Sequence, residues 1–157
     1  MSFLSLSTDL VTQAYPDEPL PVSPDATVGE VLQLMKAQRG GCVLVCSDEG
    51  GGCRLEGIFT ERDALNWMAA GGETNVNIRL AMTRSPTFLS ASATVAKAID
   101  LMTRRGFRHV PIVDDSGTPQ GVVAVQGIVH YLVEHFPQAI YTLPPEPGKR
   151  YMQREGA

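Results

Sequence analysis

Two stretches of the chain carry the same hydrophobic stripe. Val28, Val31, Leu32 and Met35 fall at i, i+3, i+4 and i+7, and Val95, Ala98, Ile99 and Met102 repeat that spacing. Each stripe predicts an amphipathic helix with one apolar face. Thr27 and Thr94 stand where the N-caps belong, and Glu30 completes a capping box with Thr27. Gly40-Gly41 and Gly106 predict the helix ends. The apolar runs that follow, Cys42–Cys46 and His109–Val113, are too short for helices and rich in β-branched residues, so they read as strands. Turn residues at Asp48–Gly52 and Asp114–Gly117 lead into second strands, Arg54–Phe59 and Gln120–Val125. A closing helix ends each unit, from Glu61 to about Ala70 and from Gly127 to Phe136. Ahead of the units, Asp17–Pro24 and Ser85–Ser90 are candidates for an edge strand on each sheet.

This doubled pattern is a tandem duplication. Residues 23–35, SPDATVGEVLQLM, align with 90–102, SASATVAKAIDLM, at an offset of 67, with Thr27 matching Thr94 and Met35 matching Met102. The Asp48–Cys53 loop is longer than its partner, after which Gly57-Ile58-Phe59 pairs with Gly121-Val122-Val123 at an offset of 64. Each unit runs helix, strand, strand, helix and is too small to be stable alone; stacked, the two are expected to bury both sheets in one core. The expected boundaries are a lead-in over 1–15, a first repeat over 16–78, a second over 79–136, and a Pro-rich tail over 137–157. The tail's Leu143-Pro144-Pro145-Glu146-Pro147-Gly148 cannot sustain a helix, leaving a disordered end or an arm around a partner subunit.

Composition narrows the function. With 157 residues, 43% hydrophobic, the chain is one globular domain, and a net charge of −4 argues against a nucleic-acid partner. No membrane-length apolar run and no basic leader is present, which points to a soluble cytoplasmic protein. The charge is uneven: residues 1–78 hold 4 basic and 11 acidic side chains, residues 79–157 hold 9 and 6. Cys42, Cys46 and Cys53 lack a fourth zinc ligand and a metal-site spacing, and Cys42 and Cys46 read as small buried core residues. No catalytic triad, metal cluster or P-loop appears, so no enzyme is expected.

The chemistry concentrates at Gly57-Ile58-Phe59-Thr60-Glu61-Arg62-Asp63. A strand ending at Phe59 and a helix starting near Glu61 put Thr60 at the N-cap. The unpaired N–H groups of the first turn and the Thr60 hydroxyl attract an anion, while Asp63 can take two hydrogen bonds from a cis-diol. The same residues also make an ordinary capping box, Thr-x-x-Asp. The second unit places Ala124 and Gly127 at these positions, and neither side chain binds phosphate or ribose. His130 and Glu134 stand at i, i+4, as a surface pair would.

The segments Gly106-Phe107-Arg108-His109-Val110-Pro111-Ile112-Val113-Asp114, Gly121-Val122-Val123, Met82-Thr83-Arg84-Ser85-Pro86 and the Gly57–Asp63 motif resemble the cystathionine-β-synthase (CBS) domain over residues 15–136. The resemblance implies a tandem CBS pair, or Bateman module, of the standalone bacterial type. Its α/β (α+β) fold would set two helix–strand–strand–helix repeats, each with an edge strand, in a pseudo-twofold pair. It further implies a regulatory homodimer that requires no cofactor and takes an adenosine nucleotide (AMP, ADP or ATP) as ligand, with an effector protein as partner and no membrane. Around that ligand it places Ile58, Thr60 and Asp63 from the first repeat and Thr83, Arg84, Pro86, Arg108 and His109 from the second. The cleft lined by Arg39, Gly40 and Gly41 would lack the Arg-His pair. Arg104 and Arg105 read instead as a solvated helix end. Trp67, Met68, Tyr131 and Phe136, on the closing helices, are candidates for a dimer surface or for the core. The alternative is a scaffold or dimerisation protein that binds no ligand.

Overall fold

The capping residues place the helices. In the computed structural model, which describes residues 5–48 and 50–136, Thr27 caps helix α1 (Val28–Gln38): its hydroxyl accepts the Glu30 N–H at 3.2 Å, and the Glu30 carboxylate accepts the Thr27 N–H at 2.8 Å. Thr94 caps α3 (Val95–Arg105) through the Lys97 N–H, also at 3.2 Å. The inward positions Val28, Val31, Met35 and Val95, Ala98, Met102 are buried, so the two stripes cover two sheets. The helix ends differ. Gly106 closes α3 in the left-handed conformation at φ 69°, but on α1 Arg39, one residue before the diglycine, takes that role at φ 51°.

The first sheet has four strands. β2 (Cys42–Asp48) and β3 (Cys53–Thr60) form an antiparallel hairpin; β1 (Pro21–Val22) joins β2 in parallel, and β4 (Thr83–Arg84) joins β3 antiparallel. The second sheet repeats this with β5 (Leu89–Ser90) parallel to β6 (His109–Val113), which pairs antiparallel with β7 (Pro119–Ala124). The hairpins are followed by α2 (Glu61–Ala69) and α4 (Val125–His135). α4 begins two residues before the expected Gly127, because Ala124 already holds the N-cap geometry without a side-chain bond.

The lead-in segments are exchanged between the halves. Val11 is fully buried in the second half's core and donates its N–H to the Ala93 carbonyl at 2.7 Å, beside bridges from Leu10 to Thr94 and from Asp17 to Val122. Sixty-seven residues on, Ile78 is fully buried in the first half's core with its N–H on the Ala26 carbonyl at 2.9 Å, beside a bridge from Asn77 to Thr27. Burying one such side chain contributes about 1.5–3 kcal/mol, so each half draws stability from a segment bordering the other.

The single shared core expected from the sequence is instead three clusters. α1 and α2 cover one sheet and α3 and α4 the other, which leaves Cys42, Leu44, Cys46, Ile58 and Val122 as a smaller layer between the sheets. The cysteine expectation is corrected in the same place. Cys42 is a buried free thiol, but Cys46, also buried, is joined to Cys53 in a disulfide across the β2–β3 hairpin. Of the four closing-helix candidates, Tyr131 is fully buried with its hydroxyl on the Asp9 carboxylate, and Phe136 packs against the second half's core. Trp67 is half-buried, with its indole N–H on the Glu73 carbonyl at 2.9 Å, and Met68 is exposed. His130 does pair with Glu134, at 3.6 Å. The tail over 137–157 lies outside the described residues.

Candidate functional site

Strand β3 delivers Thr60 to the start of α2, and the exchange of lead-ins brings β4 and the following loop against that helix end. The result is a cleft of about 510 Å³ between the halves, within the usual range for small-molecule sites. Ile58, Thr60 and Asp63 line it from the first half, and Thr83, Pro86, Arg108 and His109 from the second. Seven of the eight residues singled out from the sequence therefore meet in one cavity. Arg84 does not line it: its guanidinium donates to the Arg79 carbonyl at 3.4 Å.

Thr60 and Asp63 are held by each other. One Asp63 oxygen, Oδ2, accepts the Thr60 N–H at 2.8 Å and the Thr60 hydroxyl at 2.9 Å, and the Asp63 N–H donates to Thr60 Oγ1 at 3.2 Å. The box fixes both side chains at the cavity wall, so the capping chemistry and the proposed ligand chemistry occupy the same four residues. The floor is apolar, formed by buried Ile58 and Pro111. The rim carries two further arginines: Arg62, one place into α2 from Glu61, to which the sequence assigned no role, and Arg105, the last residue of α3, which corrects the expectation that Arg105 is only part of a solvated helix end. Arg62 stands inside the Gly57–Asp63 motif and Arg105 directly precedes the Gly106–Asp114 segment, but only the folded contact between α2 and the α3–β6 turn joins them. Arg62 Nη1 reaches the Gly106 carbonyl at 3.4 Å. Arg104 faces away and pairs with Asp100 at 2.6 Å, as expected of a solvated helix end.

A second cleft of about 850 Å³ lies on the pseudo-symmetric side, between Arg39, Gly40 and Gly41 and the Ala124–Gln126 start of α4. The first half supplies Gly41 and Cys42, at the start of β2, where the second half carries Arg108 and His109 at the start of β6. Yet Glu61, Arg108 and His109 line this cleft too, so the Arg-His pair stands in the wall common to both. His109 lies so close to Gly41 that a Cβ at residue 41 would stand 2.6 Å from Nε2. Burial holds the His109 imidazole below its ordinary pKa against the opposing pull of Asp17 and Glu61, with Arg108 adding to the depression. Burial, together with Asp17 and Glu61, pushes the Cys42 thiol up to about 12, so it is no nucleophile at neutral pH.

The CBS domain model matches residues 10–70 and 76–134, and the chain belongs to the CBS domain family as a tandem pair, or Bateman module. It is 28% identical over 113 residues to the uncharacterized 17.7 kDa protein in the bps2 3'region of Acidianus ambivalens, covering 72% of this chain and 66% of that one. It spans smaller shares, 16% and 34%, of the next curated relatives. Among solved structures it resembles CBS domain protein PAE2072 from Pyrobaculum aerophilum complexed with AMP, with 21% identity, a TM-score of 0.70, and coverage of 80% of this chain and 98% of that one. It also resembles the CBS domain pair of protein MJ0100 in complex with 5'-methylthioadenosine and S-adenosyl-L-methionine, with 20% identity, a TM-score of 0.72, and coverage of 82% and 98%. Several solved CBS pairs thus hold adenosine-containing ligands. Among the described residues, no His, Cys, Asp or Glu cluster could hold a metal ion, and no helix is long and apolar enough to cross a membrane.

Proposed function

We propose that the chain is a regulatory, non-catalytic module that binds an adenosine nucleotide of the AMP, ADP or ATP class in the 510 Å³ cleft. The observation that carries this reading is the convergence of Thr60 and Asp63 from one half with Arg108 and His109 from the other on a single apolar-floored cavity. In that arrangement the adenosine enters between Ile58, Pro111 and the neutral face of His109. Asp63 keeps Oδ2 on Thr60 and turns Oδ1 to the ribose diol. The phosphate end meets the first turn of α2, whose N–H groups point to the anion, and the Arg108 guanidinium.

The signal leaves through α2 and α4. Their exposed apolar residues, Leu65 and Met68 on one and Val125 and Val129 on the other, are the ones we assign to a homodimer partner, Met68 alone being shared with the candidates read from the sequence. A ligand that binds one dimer geometry better than another shifts the population toward it, and an effector protein reads the difference. Calorimetric titration of AMP and ATP into the wild type and Asp63→Ala tests the site. The expected result is binding by the wild type and at least about tenfold weaker binding by the variant, the worth of a charge-assisted bidentate contact. No binding by the wild type, or equal binding by both, overturns it. The scaffold reading draws on one observation, that Thr60 and Asp63 already satisfy each other; a dimer in solution that ignores every nucleotide would establish it.

A further inference from the structure

We infer that the cleft selects the phosphate chain, taking adenosine di- and triphosphates in preference to AMP or to uncharged adenosine derivatives. The inference rests on the nucleotide reading above and narrows it. It comes from a comparison the molecule makes with itself. Arg62, Arg105 and Arg108 line the first cleft; the positions related to them by the internal duplication are Gln126, Gln38 and Gly41, and all three of these line the second cleft. The duplication therefore keeps the backbone of both sites while setting three guanidiniums around the first; the second has Arg39 and shares Arg108 through the common wall, and Arg62 and Arg105 belong to the first alone.

The three are placed for a common anion. Arg105 and Arg108 flank the Gly106-Phe107 turn, and Arg62 reaches the Gly106 carbonyl from α2, so the groups ring one sector of the rim. All three are exposed, and none pairs with a carboxylate within 4.0 Å among the described residues, whereas neighbouring Arg104 is paired to Asp100 at 2.6 Å. Against them the cleft sets two carboxylates. Asp63 is committed to Thr60, and Glu61 stands at the wall shared with the second cleft. A single phosphate needs one planar fork, which Arg108 supplies; two further forks at the rim have work only if the anion extends outward. An adenosine held at the Ile58–Pro111 floor would direct its second and third phosphates there. A neutral thioether or a sulfonium in place of phosphate would leave all three cations without a counterion.

The test titrates 5'-methylthioadenosine, AMP, ADP and ATP by calorimetry into the wild type and the double variant Arg62→Gln/Arg105→Gln, which writes the second half's glutamines into the first. Expected for the wild type is ATP tightest and AMP at least about tenfold weaker at low salt, with the gap shrinking at high salt as screening requires. In the double variant ATP should fall to the affinity of AMP while AMP changes by less than about threefold, because Thr60 and Arg108 remain. Both substitutions are exposed, and a thermal melt confirms that the fold is retained. AMP equal to or tighter than ATP, methylthioadenosine tightest, or an ATP preference that survives the double substitution overturns this inference and leaves the nucleotide site standing. Binding of no adenosine compound overturns both.

Discussion

Thr60 and Asp63 perform at one helix end what Thr27 and Glu30 perform at another, and the comparison separates stability from ligand binding. Both pairs are reciprocal capping boxes, but only Thr60 faces the cleft. Thr27→Ala and Thr60→Ala should each cost about 1 kcal/mol in urea unfolding, while only Thr60→Ala weakens nucleotide binding; equal binding by the two variants would reduce Thr60 to a cap. His109 gives a pH dependence at the same scale. Its folded pKa is depressed by burial, opposed by Asp17 and Glu61 and aided by Arg108. The unfolded chain therefore takes up the proton first. The stability His109 contributes is fully present above its unfolded pKa of about 6.5 and is lost as pH falls through the lower folded value. Unfolding free energies measured between neutral and mildly acid pH should fall more steeply for the wild type than for His109→Gln. Parallel curves would show an unshifted imidazole.

At the scale of elements, α4 is held where its sequence departs from the ligand motif. A Cβ on Gly127 would lie 2.5 Å from the Ala14 carbonyl oxygen and 2.7 Å from that of Tyr15, so the lead-in segment crosses directly over the first turn of the helix. Gly127→Ala should cost about 1–3 kcal/mol, because backbone rather than a flexible side chain must move. At Gly57, in β3, the nearest atom is the Met82 thioether sulfur, at 2.4 Å, which can swing aside, so Gly57→Ala should lower the melting temperature less. If the two variants melt alike, the lead-in is not fixed over α4. The same crossing accounts for the glycine at 127, which resembles a helix boundary in the sequence yet is an approach point of two backbone segments inside α4, two residues past its start.

For the whole molecule, the exchanged lead-ins make the halves interdependent. Val11 and Ala14 complete the second core and Ile78 the first, so a fragment of residues 18–75 lacks a fully buried residue of its own core and the β4 edge strand. Thermal unfolding of the intact chain should be a single cooperative transition, and the 18–75 fragment should give the circular dichroism of an unfolded chain. Two resolved transitions, or a folded fragment, would show that each repeat stands alone.

The hydrophobic period, the caps and the duplication were legible in the sequence because they are local: residues i, i+3 and i+4 meet on a helix whatever surrounds it, and a Thr with a carboxylate three residues on satisfies the same two N–H groups anywhere. From these came the helices, the strands and the pair Thr60 and Asp63, and the family resemblance added five more residues, Ile58, Thr83, Pro86, Arg108 and His109, that share one cavity with them. What the chain order could not display was spatial. Arg62 and Arg105, 43 positions apart, meet at one rim; Arg84, beside Thr83, turns out of the cleft to Arg79; Cys46 bonds Cys53 across a hairpin. The uneven charge was visible at once, but its use was not. Only the crossing of each lead-in onto the opposite half, driven by the burial of Val11 and Ile78, brings the arginines of the second half to face Thr60 and Asp63 of the first.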